Sequence, residues 1–117
     1  MENTNMTIER NVMIIAPSEE LMQGILRGIE ALDTEHKIGI IHGAAKNHLD
    51  DVELILAELA SAIIIKTPDI AQEEHPTHKV VQYYDVLIPQ DVQRGDRTQV
   101  IDYVKSHLGN IINELLK

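Results

Sequence analysis

The sequence predicts an α/β fold, a three-layer sandwich in which helices cover both faces of a four-stranded parallel sheet. Four short runs, 12–15, 38–41, 62–65 and 86–88, are apolar without alternation, which is typical of strands buried on both faces. Three of these runs lead through a turn signal into a helical pattern. Because crossovers between parallel strands are right-handed, we expect the strand order 2-1-3-4.

The first strand is predicted at 11–16 and the first helix directly after it. Pro17 closes the strand, and Ser18 is a favourable N-cap followed by the acidic Glu19 and Glu20 in the first helical turn. The apolar positions that recur at helical spacing are Leu21, Ile25, Ile29 and Leu32.

Two glycines, Gly24 and Gly28, lie four residues apart within this helix. Glycine destabilises a helix interior by about 1 kcal/mol relative to alanine, so two of them indicate a packing requirement. We interpret them as sites of close approach between the helix and the sheet, with a helix–helix contact between copies of the chain as the alternative.

The second strand is predicted at 37–42, with a second helix capped by Asn47 and supported by Asp50 and Asp51. Leu54 is placed on the opposite, acidic side of that helix and is expected to be exposed. The predicted buried face consists of Leu49, Val52, Ile55, Leu56 and Leu59.

The third strand is predicted at 61–66 and the fourth at 85–89. Between them, residues 69–84 have a weak pattern that fits a broken helix crossing the sheet. The alternative is one long edge strand over 79–88. If 83–84 lie in a strand, the two tyrosines there face opposite sides of the sheet.

The last helix is predicted at 97–116. At 1.5 Å per residue it is about 30 Å long, and its apolar stripe is about 160° wide, more than the roughly 100° of a one-sided surface helix. An apolar stripe wider than one buried face requires predicts a second contact surface on this helix, and therefore a homo-oligomer. The predicted interface residues are Ile101, Leu108, Ile112 and Leu116. The stripe consists of Val100, Ile101, Val104, Leu108, Ile111, Ile112, Leu115 and Leu116.

Length and composition indicate one globular domain, 11–117, preceded by a flexible arm at 1–10. The net charge of −9 argues against nucleic acid and anionic membrane as partners, because both are bound through basic surfaces. The sequence has no cysteine, no secretory signal and no apolar run of the roughly 20 residues that span a bilayer. We therefore expect a cytoplasmic protein.

The carboxyl ends of the strands are where a ligand of such a sheet is expected. Residues 42–46 offer a glycine, a lysine and an imidazole, which suit a small anion, although a plain strand-to-helix turn with solvent-exposed side chains is the simpler interpretation. No glycine-rich nucleotide motif occurs, so no cofactor is expected. The candidate ligand-binding residues are Ser18, His42, Gly43, Lys46, Thr67 and Asp69.

Two chemical alternatives stay open. His42 is the candidate nucleophile or base if the chain is an enzyme. Glu74, His75 and His78 are candidate zinc or nickel ligands, because imidazole and carboxylate at this spacing can converge on one ion, while a solvated polar loop is the simpler interpretation.

In the order of its elements, 11–116 is similar to the small IIB components of bacterial sugar phosphotransferase systems. The resemblance implies a small doubly wound domain of flavodoxin-like or IIB-like architecture. Those proteins carry a phosphoryl group on a cysteine directly after the first strand, where this chain has Ala16 or Pro17. Their activity is therefore not carried over to this sequence.

Three functions follow as hypotheses. The first is a non-catalytic regulatory or assembly domain that self-associates and binds a protein or small ligand at the carboxyl edge of the sheet. The second is a phosphoryl carrier or small enzyme that uses His42. The third is a metal-binding module.

Overall fold

The computed structural model describes residues 8–70, 82–107, 109–110 and 113. These residues form four strands and four helices. The elements are β1 (Arg10–Ala16), α1 (Glu19–Leu32), β2 (Ile38–Ala45), α2 (Asp51–Leu59), β3 (Ile63–Lys66), β4 (Tyr83–Asp85), α3 (Gln90–Gln93) and α4 (Arg97–His107).

The four strands form one parallel sheet in the order β2-β1-β3-β4, as predicted. β1 and β3 are central and fully buried from Val12 to Ala16 and from Ile63 to Lys66. β2 and β4 are the edges and are only partly covered. The apolar runs 12–15 and 62–65 therefore coincide with the strands that helices cover on both faces, whereas 38–41 lies on an edge strand and 86–88 follows β4.

Helices lie on both sides of the sheet and enclose two separate apolar cores. On one side α1 and α4 pack on residues such as Ile14 and Ile65. On the other side Leu54 and Ala57 of α2 pack on residues such as Ile64. Tyr83 contacts the α2 side and Tyr84 the α1 side, which confirms that they face opposite ways.

The second strand is longer than predicted and carries an irregularity. β2 continues to Ala45, so the residues directly after His42, which were predicted to form a turn, belong to the strand. The pairing with β1 shifts between Val12, opposite Ile40, and Met13, opposite His42, which leaves Ile41 as an extra residue. Such a bulge re-aims the side chains that follow it. Here it leaves His42 in register with Met13, which belongs to the α2-side core.

The first helix follows the prediction, since Ser18 accepts a hydrogen bond from the Leu21 N–H at 3.2 Å and caps α1. Its glycines serve a different contact from the expected one. A Cβ atom added at Gly24 would lie 2.6 Å from Val100 Cβ, and one added at Gly28 would lie 2.7 Å from Val104 Cβ. The glycines thus let α1 approach α4, a helix of the same chain, and not the sheet.

The second helix presents the opposite face to the one predicted. Leu54, expected on the outside, is 1% exposed, and Ala57 and Glu53 are buried beside it. The cap is Asp50, not Asn47. The predicted core positions that instead contact solvent are Val52, Ile55, Leu56 and Leu59.

The remaining differences lie near the last two strands. β3 begins at Ile63, two residues later than expected, and β4 is Tyr83–Asp85 instead of 85–89. The predicted polar loop contains the short helix α3. Residues 71–81, on which the choice between a broken helix and an edge strand depends, lie outside the described residues.

Candidate functional site

Among the described residues, a cluster of four charged or titratable side chains joins the end of β2 to the start of α2. His42 Nε2 lies 2.8 Å from Glu53 Oε2, and Lys46 Nζ donates to Glu53 Oε1 at 2.9 Å. Lys46 also donates to Asp50 Oδ2 at 3.0 Å. Glu53 is therefore a buried carboxylate held by two groups from the neighbouring strand and its loop.

Local sequence explains how Glu53 reaches this position. Asp50 accepts from the Glu53 N–H at 2.8 Å, and Glu53 accepts from the Asp50 N–H at 3.0 Å. This reciprocal capping box fixes the first turn of α2 and turns Glu53 inward. Burial of a carboxylate is unfavourable unless hydrogen bonds compensate it, and here they do.

The charges of this cluster shift one another's pKa values. Burial alone would raise the pKa of Glu53, but the hydrogen bonds from the Asp50 N–H, Lys46 and His42 together lower it. The pKa of Asp50 is lowered, first by the Glu53 N–H and then by Lys46. Hydrogen bonds to Glu53 and Asp50 raise the pKa of Lys46. At neutral pH the two carboxylates and the lysine are therefore all charged.

The residues predicted to bind an anion after the second strand are thus already partnered within the chain. Lys46 pairs with two carboxylates, and His42 contacts one of them. Gly43 lies within β2, where an added Cβ atom would meet Met22 Sδ at 3.1 Å. What sequence reasoning missed is Glu53, although the Asp50-x-x-Glu53 spacing is a recognisable capping-box signal.

The other predicted ligand residues lie at the ends of β1 and β3. Ser18 accepts the N-cap hydrogen bond of α1. Thr67 is fully buried, and its hydroxyl has no hydrogen-bond partner in the described structure. Asp69 is exposed and lines a cleft, about 340 Å³ in volume, that Leu87 and Tyr103 also line. The predicted residues therefore do not form one site.

An ion pair with a buried lysine joins the ends of β3 and β4. Lys66, at the end of β3, is 3% exposed and pairs with Asp85 at the end of β4. The two residues are opposite each other in the strand pairing. This contact links the outermost strand to the centre of the sheet.

Several predicted residues lie outside the described part of the chain. Glu74, His75 and His78, the alternative metal ligands, lie outside the described residues. Within the described ranges no group of three or more His, Asp or Glu could hold a metal ion. Of the predicted interface residues, Ile101 is half-buried on α4, while Leu108, Ile112 and Leu116 lie outside the described part of the chain.

An apolar surface on α2, which we call the α2 face, was not expected. Val52 is 74% exposed and Leu59 is 81% exposed, with Ile55 and Leu56 between them at 45% and 36%. Their spacing, i, i+3, i+4 and i+7, normally marks the buried side of a helix.

Comparison with protein-family models, with curated proteins and with solved structures found no match. None of the helices in the described part of the chain combines the length and hydrophobicity that a bilayer crossing requires.

Proposed function

We propose that this chain is a non-catalytic assembly domain that self-associates through the α2 face. The supporting observation is the solvent exposure of Val52, Ile55, Leu56 and Leu59 on one side of a single helix. Isolated exposed apolar residues are ordinary, but four that are contiguous are typical of an interface.

The orientation of α2 supports this proposal because it is fixed from inside. Glu53 is anchored to His42 and Lys46, and Leu54 fills the core, so the helix cannot rotate its apolar stripe inward without losing both. Exposure of the stripe is therefore a property of this packing and not of a loosely held helix.

A second copy of the chain is the occupant that we propose. A two-fold interface uses the same patch on both subunits, so one apolar stripe is self-complementary and needs no opposite charge. With a net charge of −9, the protein is poorly matched to an anionic lipid surface, the other large apolar partner. A nine-residue helix offers less than the roughly 800 Å² per partner of a standard interface, so we expect a dissociation constant on the order of micromolar.

Light scattering after size exclusion tests the proposal. Between about 1 and 200 µM, chosen to bracket the micromolar range, the wild-type mass should rise from 13.2 kDa towards twice that value. Val52→Glu and Leu59→Glu should keep the protein monomeric throughout. Leu87→Glu is the matched control, because Leu87 is 71% exposed but lies outside α2, and it should dimerise like the wild type. A wild-type protein of 13.2 kDa at every concentration would exclude the proposal.

A second candidate function uses His42 as a phosphoryl acceptor or base. It is favoured by the 2.8 Å contact with Glu53, since a carboxylate that contacts one imidazole nitrogen orients the ring and leaves the other nitrogen free to react. The His42 side chain is 34% exposed and therefore accessible. Phosphorus NMR after incubation with phosphoramidate should show a phosphohistidine signal that His42→Ala removes. Absence of the signal in the wild type would exclude this function.

A further inference from the structure

We propose that the cleft beside Asp69 binds a small organic cation, with an ammonium group on the Asp69 carboxylate and a short apolar body against Leu87 and Tyr103. This inference is independent of self-association, because the cleft is lined by the segments that follow β3 and β4, by α3 and by α4, and by no residue of α2.

The cleft is where a ligand of a parallel sheet is expected. Asp69 and Pro68 follow the carboxyl end of β3, and Leu87 follows that of β4. Its volume of about 340 Å³ is within the range of small-molecule sites, roughly 300–1,000 Å³.

The walls of the cleft combine apolar side chains with the amides of Gln90 and Gln93, and several of these residues are held in place. Pro68 and Pro89 each have a fixed φ angle. Gln93 donates from Nε2 to the Ile88 carbonyl at 2.6 Å, which ties α3 to the chain leaving β4. The Tyr103 ring stacks on His107 with ring centroids 4.1 Å apart. A ligand would therefore meet a surface that needs little ordering.

The charge of the residues that line the cleft favours a cation as its ligand. Asp69 is the one ionisable acid or base other than tyrosine among the described residues that line it, and no lysine, arginine or histidine is among them. The Asp69 carboxylate has no hydrogen-bond or ion-pair partner within the described part of the chain. An aromatic ring such as Tyr103 adds attraction for an ammonium group.

The same observations favour an organic cation over a metal ion. A divalent cation such as calcium requires six to eight oxygen ligands, and magnesium requires six. A single carboxylate in an otherwise apolar and amide-lined cleft does not supply that set. An ammonium group needs one carboxylate and gains from apolar contacts along its carbon chain.

The test uses benzylammonium as the probe, with benzyl alcohol and benzoate as the neutral and anionic counterparts of similar shape. Each is titrated into the wild-type protein at pH 8, followed by calorimetry and by amide NMR shifts. We expect benzylammonium to bind at least tenfold more tightly than either counterpart, with shifts at Asp69, Leu87 and Gln90.

Two variants identify the groups responsible. Asp69→Asn should weaken benzylammonium binding about tenfold or more, while Asp91→Asn, which removes a nearby exposed carboxylate outside the cleft, should leave it unchanged. Leu87→Ser should also weaken benzylammonium binding, because it removes part of the apolar wall. This second variant tests the site even if Asp69→Asn does not fold correctly. Equal binding of benzylammonium and benzyl alcohol, or an equal effect of Asp69→Asn and Asp91→Asn, would overturn the proposal. The Leu59→Glu variant should bind as the wild type does, so failure of dimerisation and failure of this site are separable.

Discussion

Leu54 and Leu59 lie five residues apart on one helix and on opposite sides of it, the first 1% exposed and the second 81% exposed. The Leu54 side chain belongs to the core between α2 and the sheet. Leu59 belongs to the α2 face. This pair defines the rotation of α2 about its own axis, on which the proposed function depends.

Replacing each leucine by alanine should therefore give very different results. Leu54→Ala should lower the free energy of unfolding by about 2–5 kcal/mol, because it leaves a cavity in the core. Leu59→Ala should change it by about 0.5 kcal/mol or less in the monomer. Urea denaturation at low protein concentration measures both. Equal effects of the two substitutions would contradict this orientation of α2. A larger effect of Leu59→Ala would indicate that α2 buries the side that contains Leu59, as its apolar spacing predicts.

Gly28→Ala should destabilise the protein by about 1–3 kcal/mol, despite the higher helix propensity of alanine. The added methyl group would overlap Val104, and a valine on a helix has little rotamer freedom with which to move away. Gly109→Ala is the matched control, because nothing lies within 4 Å of its added Cβ, and it should be neutral or stabilising. The midpoint of urea denaturation distinguishes the two. A neutral Gly28→Ala would mean that α1 and α4 are farther apart.

Glu53→Gln should lower stability at pH 7 by roughly 1–3 kcal/mol, because His42 and Lys46 lose a charged partner. The pKa of Glu53 is lowered in the folded protein, so its contribution is present above the ordinary carboxyl pKa of about 4.3 and is lost as the pH falls through the folded value. The difference in the free energy of unfolding between the wild type and Glu53→Gln should thus become smaller below about pH 4.

The raised pKa of Lys46 makes stability depend on pH in the alkaline range. Its contribution is complete below the ordinary lysine pKa of about 10.4 and is lost as the pH rises through the folded value. Glu53→Gln should flatten this alkaline loss as well. Glu20→Gln, at an exposed position in α1, serves as the control with a change within about 0.5 kcal/mol. A pH-independent difference between wild type and Glu53→Gln would contradict the role given to this cluster.

Salt should strengthen self-association through the α2 face. Each copy carries a formal charge of −9, so two copies repel each other at low ionic strength, whereas contact between apolar side chains has no such dependence. Raising sodium chloride from about 0.02 to 0.5 M shortens the Debye length from tens of ångströms to a few and should lower the dissociation constant. Sedimentation velocity at several salt concentrations measures this. Weaker association at high salt would indicate an interface built on opposite charges.

The sheet and its order were predictable from the sequence because the signals are local. Runs such as Ile63–Ile65 are apolar at every position, and Ser18 followed by two acids is a strong helix start. Right-handed crossovers then restrict the topology to very few solutions. None of these signals requires knowledge of a distant residue.

The rotation of α2 was not predictable by the same means. Counting apolar residues at helical spacing favours the stripe through Val52 and Leu59, and the prediction of a buried Val52 is wrong. The deciding interactions are between distant residues: Glu53 meets His42, and the bulge at Ile41 sets which way His42 faces. The spacing of apolar residues shows which of them share one side of a helix. It does not show which side of the helix packs against the rest of the protein. The glycine contact with α4 is another case of a distant partner.

The bulge in β2 also has a consequence for how copies of this chain can meet. β2 is eight residues long and lies at the rim of the sheet, where unpaired backbone groups invite a foreign strand to add on and extend the sheet indefinitely. An extra residue midway interrupts the even spacing that such an addition needs. The opposite rim is only three residues long. Strand addition is thereby discouraged at both rims, so the self-association that we propose through the α2 face would give a finite, closed pair and would not extend the sheet.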